Sequence, residues 1–194
     1  MSRFPLRLIY LDFDGVLHPD RAYRHARHGI RLLPPGQLFE HAEWLAEALR
    51  TWPEVALVLS TSWVPALSFS RAKQRLPQSL QDRVIGATWH SEFRRNWDWR
   101  QWWESASRFD TIFQDVLRRR PQSWLAIDDD LEGWDPHFRH HLVATLGETG
   151  LGASEVQQEL RQRLEDLHRP DILDLTLPLG GDQPLPKLLP TPSF

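Results

Sequence analysis

The chain has 194 residues, 41% apolar and 25% charged, with a net charge of −3, 10 Trp and no Cys. That composition suits one globular domain; it excludes a disulfide framework, a thiol nucleophile and a cysteine metal centre, and leaves no global basic field to gather nucleic acid. No apolar stretch is long enough to span a bilayer, and the short N-terminal apolar run breaks at Asp12 without a signal-peptide layout, so a cytoplasmic protein is expected.

Leu6 to Leu11 is almost wholly apolar and runs into Asp12-Phe13-Asp14-Gly15, which predicts a strand buried on both faces of a parallel sheet. Residues 18–35 are polar, rich in His and Arg, and end in Pro34-Pro35; they read as a loop or small flap. Gln37 to Leu49 has helical spacing, with Leu38, Phe39, Ala42, Leu45, Ala46 and Leu49 on one face, and Pro53 closes it. Val55 to Leu59 is a second apolar strand ending in Ser60-Thr61-Ser62-Trp63, with a helix expected from there to about Arg75. Arg83 to Thr88 gives a short third strand. Phe109 to Arg118 is helical, with Phe109, Ile112, Phe113, Val116 and Leu117 in its stripe. Trp124 to Ile127 is the next buried strand, ending in Asp128-Asp129-Asp130, and Asp135-Pro136 reads as a helix cap followed by Pro at the first position. His141 to Leu146 gives a fifth strand, and Ser154 to Leu167 an amphipathic helix with Val156, Leu160, Leu164 and Leu167 inward. The Pro- and Gly-rich segment 170–194 has no helical period and reads as a tail.

Strands alternating with helices predict a three-layer, doubly wound, mostly parallel α/β domain. Ligands in such domains bind beyond the carboxyl ends of the strands. Three of the predicted strands end there in "DFDG", "STS" and "DDD". Asp12 and Asp14 are poor strand formers separated by one residue, and a local rule broken in this way points to function. Clustered carboxylates without Cys or ligand-spaced His suit a hard cation, Mg²⁺ above all. A carboxylate can attack phosphorus, a second can serve as acid and then base, and hydroxyls with a cation can hold phosphoryl oxygens. The residues therefore suggest phosphoryl transfer.

"LDFDGVL" resembles the first motif of the haloacid dehalogenase (HAD) superfamily of phosphatases, "LSTS" its second and "LAIDDD" its fourth, in order and register over roughly residues 5–168. The details "LDFDGVLHP", "LVLSTSW" and "LAIDDD" followed by "ETGLGASEV" resemble a branch found in RNA-repair proteins. The resemblance implies an HAD-like Rossmannoid fold with a minimal cap. It makes Asp12 the nucleophile and Asp14 the general acid/base, whose backbone carbonyl is a metal ligand. Asp128 and Asp129 complete the Mg²⁺ site with Asp12. Thr61 becomes the phosphate-binding hydroxyl, with Ser62 and Ser60 as neighbours that leave the register open by one. The third motif needs a cation; no Lys stands in its region, and Arg108 is the best positional match, with Arg94, Arg95 and Arg100 as competitors.

The nine His show no zinc pattern: His25 with His28 and His140 with His141 are the close pairs. They read as surface residues, although His18 follows the first motif closely enough to approach a substrate. Trp89, Trp97, Trp99, Trp102 and Trp103 interleave with Arg94, Arg95 and Arg100. Trp99, Trp102 and Trp103 fall on one helical face, which favours packing, with Asn96 or Asp98 as cap; aromatic–Arg interleaving also suits single-stranded nucleic acid. The expected organisation is a catalytic domain over 1–169, with 88–107 as a small Trp-rich lid, and a tail over 170–194. The expected function is a Mg²⁺-dependent phosphatase acting on a nucleic-acid end, a nucleotide or a small metabolite phosphate. The rival reading is a non-catalytic module that binds RNA or a protein through the Trp/Arg segment.

Overall fold

The elements run β1 (Arg7–Leu11), β2 (Ala22–His25), β3 (Gly29–Leu32), α1 (Ala42–Ala48), β4 (Val55–Leu59), α2 (Trp63–Leu67), α3 (Phe69–Lys73), α4 (Gln78–Gln81), β5 (Val84–Ala87), α5 (Glu92–Arg95), α6 (Trp97–Ser105), α7 (Arg108–Arg119), β6 (Ser123–Asp128), β7 (Leu142–Ala144) and α8 (Ser154–Asp166). Short 3₁₀ turns cover Pro136–His141 and Gly150–Gly152. The computed structural model describes residues 6–27 and 29–168, with their side chains except that of Arg94. His28 and the segment 170–194 lie outside the described residues.

The sheet has the order β5-β4-β1-β6-β7, and every pairing in it is parallel. β1 lies at its centre because both of its faces are apolar. Ile9 and Leu11 pack on one side with Leu57, Leu59, Leu45, Leu49, Leu160 and Leu164. Leu8 and Tyr10 pack on the other with Phe109, Ile112, Phe113, Val116, Trp124 and Phe138. Period-two alternation thus feeds two separate cores, and helices cover both faces, which makes the domain three-layered and doubly wound.

Two predicted helices are shorter than their periodicity suggests. The helix expected from Gln37 begins at Ala42, because Phe39 adopts a left-handed φ of 63° that stops a helix from running through it. The helix expected from Trp63 to Arg75 splits into α2 and α3 at Ser68, whose φ is 113°. The polar 18–35 segment holds the antiparallel hairpin β2–β3. Asp135 caps the 3₁₀ turn through its His137 N–H, and Asn96 caps α6 through the Trp99 N–H.

The Trp-rich segment forms α5 and α6. Phe93 stacks on Trp103 at 5.2 Å and meets Trp102 at 6.0 Å and Trp99 at 6.1 Å, so these aromatics form a small core within the helix pair. Trp97 stands apart, 68% exposed. The helix pair sits in the β5-to-α7 connection, directly before α7.

α7 is held by a capping box: Ser107 Oγ accepts from the Asp110 N–H at 3.1 Å and the Asp110 carboxylate accepts from the Ser107 N–H at 2.9 Å. Its apolar stripe centres on Phe113, which is fully buried and lies 5.3 Å from Phe109 and 4.9 Å from Phe138. Phe113→Ala is expected to cost about 3–5 kcal/mol of unfolding free energy, because neighbouring rings cannot collapse into the void. Urea unfolding of the two proteins measures this; a loss below about 1 kcal/mol would mean that α7 is not the lid of that core.

Candidate active site

The strand register gathers the site. Leu11 pairs with Leu59 on β4 and with Ile127 on β6, so the next residues on all three strands, Asp12, Ser60 and Asp128, reach one level. Two backbone bonds fasten them, Asp12 N–H to Ile127 O at 3.2 Å and Ser60 N–H to Leu11 O at 2.9 Å. This is the carboxyl edge where ligands bind in such sheets.

Asp12 and Asp128 are buried, and Asp129 is half-buried beside them. Oxygens of all three lie within 4.8 Å of one another. Gly15 permits that approach: its φ is +67°, and a Cβ there would overlap the Asp129 carboxylate. Arg108, the first residue of α7, answers the negative charge. Its Nη2 lies 3.4 Å from Asp12 Oδ2, its Nε 3.2 Å from Asp128 Oδ2, and its Nη1 donates to Ser60 O at 2.7 Å. The Nε contact has ion-pair distance but poor alignment, so among the described residues Arg108 Nε and Asp128 Oδ2 have no hydrogen bond, and neither has Asp12 Oδ1.

One guanidinium does not balance three carboxylates. Burial, opposed by Arg108 and a backbone N–H and reinforced by Asp14 and Asp129, raises the Asp12 pKa to about 6. Burial and then the field of Asp12 push Asp128 well above the carboxylate range, and burial and then Asp20 raise Asp129. Burial alone would lower the Arg108 pKa, but the fields of Asp12 and Asp128 more than reverse this and keep it charged. An all-oxygen cluster with two buried oxygens lacking partners fits a hard divalent cation. Asp12, Asp128 and Asp129 would be its side-chain ligands.

The Asp14 carboxyl stands outside this cluster. After Asp12 the chain makes one tight turn, with Leu17 N–H bonded to Phe13 O at 2.9 Å, and the turn brings His18 back to Asp14. His18 Nε2 lies 3.1 Å from Asp14 Oδ1, and the Trp63 indole N–H donates to Oδ2 at 2.8 Å. Ser62 Oγ reaches the same oxygen at 3.4 Å. Thr61 is buried beside the site, and its Oγ1 accepts from the Trp63 N–H at 3.3 Å. The Ser60 hydroxyl is buried with no hydrogen-bond partner among the described residues.

Of the Arg competitors, Arg95 is exposed and pairs with Glu92, and Arg100 lies on the exposed side of α6. The side chain of Arg94 is not among those described. Sequence reasoning noted His18 only as a neighbour of the first motif that could approach a substrate, and it missed Trp63. His18 was expected at the surface, yet it is fully buried; the available signal was its i+4 spacing from Asp14 across a glycine turn.

One family model matches residues 8–156, that of the HAD domain in Swiss Army Knife RNA repair proteins. No curated protein and no solved structure shows a significant match to the chain. Among the described residues, no helix is long and apolar enough to cross a membrane.

The electrostatics predict a stability profile. Asp12 titrates near 6 when folded and near its ordinary value of about 3.9 when unfolded, so the folded chain holds its proton more tightly. In chelator, its contribution to stability falls by about 3 kcal/mol as pH rises from about 4 to about 6, then stays level. Asp12→Asn is expected to melt higher than wild type at pH 7.5 and to lose most of that advantage at pH 4. Thermal melts of both proteins in chelator test this; a mutant that melts lower at pH 7.5 would overturn it.

Proposed function

The chain belongs to the family of HAD domains found in Swiss Army Knife RNA repair proteins, and we propose that it is a Mg²⁺-dependent phosphatase working through an aspartyl-phosphate on Asp12. Family membership brings phosphatase-type chemistry and a phosphorylated substrate. The observation that carries the finer reading is the buried Asp12 carboxylate, with one oxygen unpartnered and the other facing Arg108, at the carboxyl edge of the sheet. The proposed catalytic domain is residues 1–169, with 88–107 as a small lid.

In this reading the Asp12 carboxylate attacks phosphorus, the ester bond breaks, and the leaving oxygen takes a proton from Asp14. Asp14, now a carboxylate, takes a proton from water as the water oxygen attacks the aspartyl-phosphate. Inorganic phosphate leaves, and Asp12 and Asp14 return to their starting states. Arg108 holds phosphoryl oxygens, in the role usually given to a Lys, with Thr61 or Ser60 and the neighbouring Ser62 supplying hydroxyls. Asp12, Asp128, Asp129 and the Asp14 carbonyl would hold Mg²⁺, whose charge offsets repulsion between the carboxylates and the phosphate.

The substrate we favour is the phosphate at a nucleic-acid end. The family's printed association with RNA repair supports it, as does the exposed Trp97 on the helix pair that leads into Arg108. The rival reading, a binding module without turnover, leaned on the missing third-motif Lys. The position of Arg108 3.4 Å from Asp12 weakens it.

Mg²⁺-dependent phosphate release should fall by on the order of 10³-fold or more in Asp12→Asn and by about 10²–10³-fold in Arg108→Ala, with Arg108→Lys between wild type and Ala. Equal release by wild type and Asp12→Asn would overturn the assignment. End-phosphorylated RNA is expected to be hydrolysed more efficiently than a free nucleotide; no preference would remove the nucleic-acid substrate.

A further inference from the structure

The Asp14 carboxyl is gripped by two side chains that the reaction above leaves idle. Trp63 Nε1 donates to Oδ2 at 2.8 Å, and His18 Nε2 lies 3.1 Å from Oδ1, one partner to each oxygen. His18 is 0% exposed, whereas the Asp14 side chain keeps 22% of its surface open. The carboxyl is therefore fixed from behind and free in front.

The grip is built into the core. Phe13, His18, Phe39 and Trp63 form a packed group of rings, with Phe39 5.1 Å from Phe13, 5.1 Å from His18 and 5.2 Å from Trp63. Phe39 takes its place there despite a left-handed φ. A purely structural group would favour an apolar side chain at position 18, because the imidazole brings a second nitrogen: Nδ1 is buried and has no partner among the described residues. A buried polar atom left unsatisfied destabilises the fold, and such a local conflict is expected where a residue serves a site.

The Asp terminal torsion is broad and roughly two-fold, so an unsupported carboxyl samples many orientations. Proton transfer to a leaving oxygen requires that oxygen to lie within hydrogen-bond reach of a correctly turned carboxyl. We infer that His18 and Trp63 are positioning residues that fix the rotation of the Asp14 carboxyl for proton transfer. This inference rests on the assignment of Asp14 as acid/base in the proposed function. Ser62 Oγ, at 3.4 Å from Oδ2, is a weaker and exposed third contact.

The test exploits leaving groups. p-Nitrophenyl phosphate expels its oxygen without needing a proton, whereas phenyl phosphate, of similar size, needs one. Values of kcat/KM for both substrates would be measured for wild type, Asp14→Asn, His18→Leu, His18→Gln and Trp63→Phe. Asp14→Asn should lose about 10²-fold or more on phenyl phosphate and much less on p-nitrophenyl phosphate. His18→Leu and Trp63→Phe should show the same split in milder form, about 10-fold on phenyl phosphate and under about 3-fold on p-nitrophenyl phosphate. His18→Gln, which keeps a donor near the Nε2 position, should recover most of the His18→Leu loss. If Asp14→Asn shows no split, the acid/base assignment fails and the inference with it. If Asp14→Asn shows the split but His18→Leu and Trp63→Phe lose both substrates equally, the two residues only pack and the positioning role is overturned. Trp63→Phe keeps the ring and removes only the N–H, so it separates hydrogen bonding from folding even if His18→Leu is unstable.

Discussion

The structure is organised around the cost of burying Asp12 and Asp128 together. Two carboxylates at the ends of adjacent buried strands, with Asp129 beside them, repel one another and lose their hydration. The parallel register of β1 and β6 fixes them at one level and leaves them no way apart. Arg108 is the chain's own answer, and its placement uses several residues that touch no carboxylate. The Ser107–Asp110 capping box starts α7 at the right point, and the Phe109–Phe113 stripe anchors the helix on the sheet. Ser60 O holds one arm of the guanidinium. The charge still does not balance, and a hard divalent cation fits the remainder.

The same constraint explains Gly15. A side chain there would push Asp129 out of the cluster, and the positive φ turns the chain back immediately after β1. The turn that follows is tied down by the segment after β7: Thr145 Oγ1 donates to Gly15 O at 2.7 Å, and the Leu151 N–H bonds to Val16 O at 2.9 Å. The otherwise bland segment after β7 thus holds the first motif in place.

Most of this architecture could be read from the sequence because it rests on strong local signals. The apolar runs into "DFDG", "STS" and "DDD" each combine a buried strand with polar residues that a strand end tolerates only at a site, so β1, β4 and β6 and their convergence were legible. Arg108 was legible by position, because the helix that it opens leads straight into β6. The misread elements share one physical cause. Periodicity extended α1 back to Gln37 and joined α2 to α3, since Leu38, Phe39 and the residues after Trp63 fit a helical stripe. Positive φ angles at Phe39 and Ser68 break those helices, and apolar spacing carries no information about either. The burial of His18 escaped for a related reason: Asp14 lies only four residues away, but the rings that enclose it, Phe39 and Trp63, come from two other parts of the chain.

Those misread positions bear on the division of labour within the first motif. Asp12 and Asp14 are two residues apart yet occupy opposite surroundings. Asp12 faces other carboxylates and one guanidinium, and its Oδ1 has no hydrogen-bond partner among the described residues, so its charged form is disfavoured. Asp14 is supported by an indole N–H, an imidazole and a hydroxyl, and stays partly open to solvent. A single turn at Gly15 separates the two environments, and the ring group that includes Phe39 sustains the second. In the proposed reading Asp12 attacks and Asp14 transfers the proton, and a cation in the cluster would offset the burial that otherwise disfavours the Asp12 carboxylate. The departure from helical periodicity at Phe39 thus serves the ring group whose His18 and Trp63 hold the Asp14 carboxyl outside the carboxylate cluster.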